Sequence, residues 1–284
     1  MIVIKLSQEF DPPCLHHIVT LIVIPSTYSQ KQKNDVGGLF ETTHPEAKRP
    51  LSSNTINFGN VMKKNETLKI YSYGRRDQPK VALTFDDGPN PPITDKILEI
   101  LETKNAKATF FVIGKWIDRW PESFLRIVRK GHTIGNHSYF HDPHLGDFDH
   151  AEAVITNLTG KPSRFLRAHY FKFHLCLEST IALSPGIKIV DADVNPSDFK
   201  QTSSEDILNL TMKAKNLQAG SIIDLHDGSE TENHSSRISR PAPLVEALPK
   251  MIDELQGRGF ELVGLEEMEL DDPKIWPKDY PEEN

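Results

Sequence analysis

Short apolar runs alternate with longer stretches of helical spacing along most of the chain. Val81-Ala-Leu-Thr-Phe85 is an apolar run closed by Asp86-Asp-Gly-Pro89, which predicts a buried strand ending in a turn. Ile93, Ile97, Ile100 and Leu101 then recur at helical spacing over residues 93–104. Ala108–Ile113 predicts the next strand. Trp116–Lys130 predicts a helix, with Pro121 near the start of a turn and Gly131 as a stop. Thr133–Asn136 is a third strand and Asp149–Leu158 a short helix. Arg164–Arg167 and Ile187–Val190 are strands four and five, with an apolar helical segment between them. Ser203–Asn216 predicts a helix that opens on the capping pair Ser203 and Asp206. Ser221–Leu225, a helix over Ala242–Arg258, and Phe260–Val263 complete the pattern.

Seven strands alternating with about six helices signal a parallel β/α architecture. An open sheet and a barrel share that signature. An open sheet usually gathers its site at one switch point, where few strands contribute. Here polar clusters follow strands one, three, four, five and six, which fits a barrel with its site at the strand C-termini. The expected fold is therefore a distorted (β/α)7 barrel. Before Pro79 the pattern is absent: Ser26–Lys64 is polar and has no sustained period. Residues 1–78 are expected to be a largely disordered tail or linker, 79–268 the catalytic domain, and 269–284 a second tail.

Composition narrows the function. Of 284 residues, 26% are charged and the net charge is −7, which argues against nucleic acid as a partner. Cys14 and Cys176 are too few for a disulfide scaffold or a cysteine-built zinc site. No apolar run reaches the roughly 18 residues of a transmembrane helix. Ile18–Pro25 is short enough for a signal-peptide core, but Glu9, Asp11 and two prolines precede it with one basic residue, Lys5. A signal peptide is not convincing on that pattern.

Asp86 and Asp87 stand at the end of strand one, where one carboxylate can bind a cation while the other stays free as a base. An ordinary acidic turn is the plain alternative. His137 and His141 lie four residues apart, and on a helical turn both imidazoles would reach one metal. Two histidines and a carboxylate leave one coordination position open, the pattern of a catalytic rather than a structural zinc. His226-Asp227 follows strand six, where an imidazole can serve as general acid. Arg167 and Asp198 could each orient a catalytic group or form a structural ion pair.

Together these residues resemble the polysaccharide deacetylases, carbohydrate esterase family 4 with its NodB-homology domain, over about residues 79–268. Thr84-Phe-Asp-Asp-Gly-Pro89 and Asn136-His-Ser-Tyr-Phe-His141 match the first two motifs intact. Phe165-Leu-Arg-Ala-His-Tyr170 is a partial third, where Arg-x-Pro-Tyr-Gly is usual. Asp193-Val-Asn-Pro-Ser-Asp-Phe199 resembles the usual Asp-Val-Asp-Pro-x-Asp-Trp, and Ile222-Ile-Asp-Leu-His-Asp227 the usual Leu-x-His-Asp.

The resemblance implies a metal-dependent hydrolase that removes N-acetyl, or O-acetyl, groups from a polysaccharide such as peptidoglycan or chitin and releases acetate. Asp87, His137 and His141 would hold a divalent metal, usually zinc. Asp86 would be the base, and Arg167 would keep it ionised. His226 would be the acid, Asp198 would orient His226 or Arg167, and Tyr170 would offer its backbone N–H to the oxyanion. The family mostly works outside the membrane, which implies a secreted or cell-envelope location.

Four departures stand out. His169 replaces a proline, Phe171 a glycine, Asn195 a common aspartate, and Asp224 a leucine that lines the acetyl pocket. They motivate a second reading, a catalytically impaired glycan-binding module on the same fold. Asp224 is expected to make the acyl pocket polar, so Asp224→Leu is expected to raise activity on acetyl substrates.

Overall fold

Each of the seven apolar runs becomes a strand. The computed structural model describes residues 69–142, 147–169, 186–229 and 241–275. Its strands are β1 (Lys69–Tyr71), β2 (Lys80–Gly88), β3 (Thr109–Val112), β4 (Thr133–Asn136), β5 (Phe165–Leu166), β6 (Lys188–Val190), β7 (Ile222–His226), β8 (Glu261–Leu262) and β9 (Lys274–Ile275). The helices are α1 (Ile93–Thr103), α2 (Gly114–Arg119), α3 (Pro121–Arg129), α4 (Phe148–Thr159), α5 (Ser204–Met212) and α6 (Ala242–Gly257). The apolar segment expected to be helical between strands four and five lies mostly outside the described residues.

The strand order is β7-β2-β3-β4-β5-β6-β1-β9, with β8 on the side of β2. Every pairing from β7 to β1 is parallel, and β9 runs antiparallel to β1. The far side returns to β7 through single bridges, Val194 to Ile223 and Tyr73 to Ser221. The sheet thus curls into the expected distorted (β/α)7 barrel, closed at its seam by isolated bridges rather than by a full ladder.

Strand alternation assigns the two faces. From β2, Val81, Leu83 and Phe85 point outward and pack against Ile97, Leu101, Leu248 and Ile252 of α1 and α6. Ala82 points inward, where Phe111, Phe165, Val190 and Ile222 join it in an apolar plug. Thr84 and Asp86 continue the inward row, so the interior turns polar toward the strand C-termini.

Three expectations change. The helix over Trp116–Lys130 is two helices, because Trp120 takes φ −133° and ψ 60° ahead of Pro121. A proline disfavours helical dihedrals in the residue before it. The helix from Ser203 is shorter, ending at Met212, although Ser203 does cap it by accepting from the Asp206 N–H at 3.1 Å. The sheet also outruns the segment 79–268 at both ends, through β1 and β9. Ile70 is buried in a small cluster with Leu166 and Ile189, and Arg76 pairs with Asp193 at 2.7 Å beside the seam.

A chain starting at Pro79 should therefore be less stable than one starting at Lys69. Losing Ile70 and the Arg76–Asp193 pair should cost at least about 2 kcal/mol. Urea midpoints of the two chains check this, and equal midpoints would contradict it.

Candidate active site

The site begins where β2 breaks its register. Asp86 pairs with Phe111 of β3 and Gly88 with Val112, so Asp87 bulges out between them with φ +71°. The bulge turns two adjacent carboxylates in different directions. Gly228 makes room for it: a Cβ there would lie 2.0 Å from the Asp87 carbonyl oxygen.

Asp87, His137 and His141 converge, with one donor atom from each lying within 4.8 Å of the others. Asp87 Oδ1 lies 3.6 Å from His137 Nε2 and 3.2 Å from His141 Nε2. The helical turn expected for the two histidines is not formed. They sit in a loop after β4, and Ser138 and His141 both take positive φ, 67° and 61°. Their rings still approach to 5.0 Å between centroids.

The loop is held from below. His137 Nδ1 meets the Arg167 carbonyl at 2.9 Å, which leaves Nε2 facing Asp87. The Ser138 hydroxyl accepts the His141 N–H at 3.0 Å. Asn136 Oδ1 accepts the Ser138 N–H, while its amide donates to Glu152 at 2.8 Å. His169 Nε2 lies 2.6 Å from the Ser138 hydroxyl and 3.0 Å from the His137 carbonyl. Burial, then the neighbouring His141, pushes the His169 imidazole down to about 4, so it is neutral at pH 7. His137 is also lowered, first by burial and then by His141 and His169.

A divalent metal fits these residues. Asp87 Oδ1 is buried without a hydrogen-bond partner, facing two imidazole nitrogens. A buried, unpaired carboxylate oxygen is costly unless a cation meets it. One carboxylate and two imidazoles, the second ring nitrogen of one already tied to a backbone carbonyl, suit a zinc-type ion.

Asp86 lies on the other side of the bulge, 3% exposed. Its Oδ1 accepts from Arg167 Nη1 at 2.8 Å. Burial raises its pKa, and the Arg167 guanidinium opposes that rise without cancelling it. Arg167 thus holds Asp86 in place but does not depress it on balance, contrary to the simple ion-pair expectation.

Asp224 lies one step down the ladder, where Thr84 faces Asp224 and Asp86 faces His226. It points inward as strand alternation requires. Both its oxygens are engaged, one by Arg167 Nη1 at 3.3 Å and one by Asn195 Nδ2 at 2.8 Å. Burial, then the Asp86 charge, raises its carboxyl to about 7.

His226 completes the site. Asp198 accepts from the His226 backbone N–H at 2.9 Å and meets its Nδ1 at 2.9 Å. Of the two partners expected for Asp198, the structure gives His226. Burial alone would lower this imidazole, but Asp198 and then Asp224 reverse that and raise it well above 6.5. One donor atom each from His226, Asp86 and Asp224 lies within 4.8 Å of the others.

Seven of the eight predicted site residues thus lie around one end of the barrel. The eighth, Tyr170, lies outside the described residues. Sequence reasoning missed the support given by His169, Asn195 and Thr84, whose hydroxyl accepts from Arg167 at 2.8 Å. The first two were visible only as departures from the family's motifs.

Known proteins align with this arrangement. A sequence profile described as polysaccharide deacetylase matches residues 73–174. A peptidoglycan-N-acetylglucosamine deacetylase of Bacillus cereus is 33% identical over 214 residues, covering 71% of this chain and 73% of its own. A chitooligosaccharide deacetylase of Bradyrhizobium is 34% identical over 195 residues, or 64% of this chain and 87% of its own. A crystallised peptidoglycan N-acetylglucosamine deacetylase in complex with 4-naphthalen-1-yl-N-oxidanyl-benzamide superposes with TM-score 0.62 at 30% identity, covering 70% of this chain and 92% of that one.

The site predicts about one equivalent of zinc per chain after mild purification. His137→Ala should lose it, whereas Asp86→Asn should keep it, as elemental analysis will show. Metal lost from Asp86→Asn would exchange the roles of Asp86 and Asp87.

Proposed function

The chain belongs to the polysaccharide deacetylase family, and from that premise we propose that it hydrolyses N-acetyl groups on an amino-sugar polymer of the peptidoglycan or chitin kind. The observation that carries the reading is a buried carboxylate and a half-buried imidazole with opposite tethers, next to three donors that could hold a metal. Binding a glycan without cleaving it needs neither group.

Amide hydrolysis needs a proton taken from water and a proton given to the leaving nitrogen. Asp86, raised by burial, is the stronger base for it and takes the first. His226, held protonated by Asp198, gives the second, so the products are acetate and a free amine. A divalent ion on Asp87, His137 and His141 would supply Lewis acidity to the acyl carbonyl and the attacking water. Arg167 fixes Asp86, and the Tyr170 backbone N–H is assigned to the oxyanion.

The rim suits a sugar. Phe199 is 41% exposed and packs edge-on against His226 at 5.0 Å. Phe140, beside His141 in the chain, is 48% exposed. Exposed aromatic faces of this kind stack on sugar rings. Among the described residues, no helix is long and apolar enough to cross a membrane. A substrate of this kind supports a secreted or cell-envelope location.

Zinc-loaded protein should release acetate from N-acetylglucosamine oligomers, peptidoglycan or both. Asp86→Asn and His226→Ala should each lower turnover by about 10²-fold or more. Metal-replete protein that releases no acetate from either polymer or from acetylated xylan would end the deacetylase reading.

The sign of the pH dependence follows from His226. A folded-state pKa raised above the unfolded value means that protonated His226 stabilises the fold fully below about pH 6.5. That contribution fades as pH rises through the raised value. The alkaline limb of kcat/KM should therefore lie well above pH 6.5. Asp198→Asn removes the main raising partner and should move that limb down; an unmoved limb would assign it to another group.

A further inference from the structure

Two of the four departures from the family's motifs touch each other. Asn195 stands where an aspartate is common and Asp224 where a leucine is usual, and Asn195 Nδ2 donates to Asp224 Oδ2 at 2.8 Å. The seam brings them together: the Asp224 N–H donates to the Val194 carbonyl at 2.9 Å, so residue 195 runs alongside β7. The other Asp224 oxygen faces Arg167 Nη1, the same nitrogen that holds Asp86.

We propose that Asp224 and Asn195 act as one unit that supports Arg167 from across the seam. Asp224 is then a positioning residue, which holds Arg167 against Asp86 while Asn195 holds Asp224. The inference rests on the deacetylase reading for its consequence in turnover, but not for the pairing itself.

Each single reversal breaks something that the pair preserves. Asp224→Leu leaves the Asn195 amide without its partner and takes one of two carboxylates from Arg167, which is fully buried. Asn195→Asp replaces the donor to the buried Asp224 with a second carboxylate, so the two repel across the seam. The pocket already resists negative charge, since burial and Asp86 raise Asp224 to about 7. Changing both at once returns one carboxylate and one apolar residue. This reverses the earlier expectation for Asp224→Leu: the loss of support outweighs any gain of apolar contact with an acetyl methyl.

The test compares wild type, Asn195→Asp, Asp224→Leu and the double variant, all zinc-loaded, on an N-acetylglucosamine oligomer. Each single should lower kcat by at least about 10-fold with KM within about 2-fold, and the double should return to within about 3-fold of wild type. A merely structural role would not split kcat from KM, nor be rescued by a second change. Single effects that multiply in the double variant, or an Asp224→Leu protein as fast as wild type, would overturn the proposal. If Asp224→Leu does not fold, Asp224→Asn replaces it in the single and in the double, with the same outcomes. If wild type releases no acetate from this oligomer, from peptidoglycan or from acetylated xylan, the deacetylase reading falls, and melting temperatures of the same four proteins decide the pairing. Losses recovered in the double support it, and additive losses refute it.

Discussion

A fully buried guanidinium is the constraint around which the rest is arranged. Arg167 has no exposed surface, and a buried charge costs several kcal/mol unless its donors are met. Its Nε donates to the Val190 carbonyl, its Nη2 to the Asp191 carbonyl, and its Nη1 faces Thr84, Asp86 and Asp224. Its plane lies 4.1 Å over the Phe111 ring. These partners come from β2, β3, β6 and β7, so one side chain fixes four strands around the site. The backbone of Arg167 joins in as well. Its N–H donates to the Asn136 carbonyl and its own carbonyl receives His137 Nδ1. Asp86, the proposed base, and His137, a proposed metal donor, are thereby indexed to the same residue.

That arrangement explains how much of the fold was legible. The strands are the only places where short apolar runs can be buried on both faces, so all seven appeared in the pattern. β1 and β9 did not, because three and two residues are too few to show a period. Trp120 looked helical because its spacing from Trp116 is helical, and the two rings do stack at 5.3 Å. Only the backbone restriction ahead of Pro121 separates α2 from α3.

The site was legible where chemistry demands residue types and illegible where it demands shape. Asp86, Asp87, His137, His141 and His226 follow from their positions after strands and from the family's motifs. The loop that brings His137 to His141 does not, since two positive φ values at non-glycine residues leave no mark in the sequence. His169 looked like the loss of a stiffening proline. In the fold its imidazole pins the His137 carbonyl and the Ser138 hydroxyl that receives the His141 N–H.

The opposite duties of Asp86 and His226 come from a shared charge balance. Arg167 and protonated His226 bring two positive charges to the polar end of the barrel, while Asp86, Asp198 and Asp224 bring three carboxylates. Burial and then the Asp86 charge raise the Asp224 carboxyl to about 7, while Asp198 and then Asp224 raise His226. Asp198 is committed to His226, accepting its backbone N–H and meeting its Nδ1. Asp86 is held by the guanidinium at the shorter distance, 2.8 Å against 3.3 Å for Asp224. Held this way, Asp86 is the proposed acceptor of a proton and His226 the proposed donor, with Asp224 linking Arg167 to Asn195. A leucine at 224 with an asparagine at 195 would break that link, so the two departures from the family's motifs are intelligible as a pair.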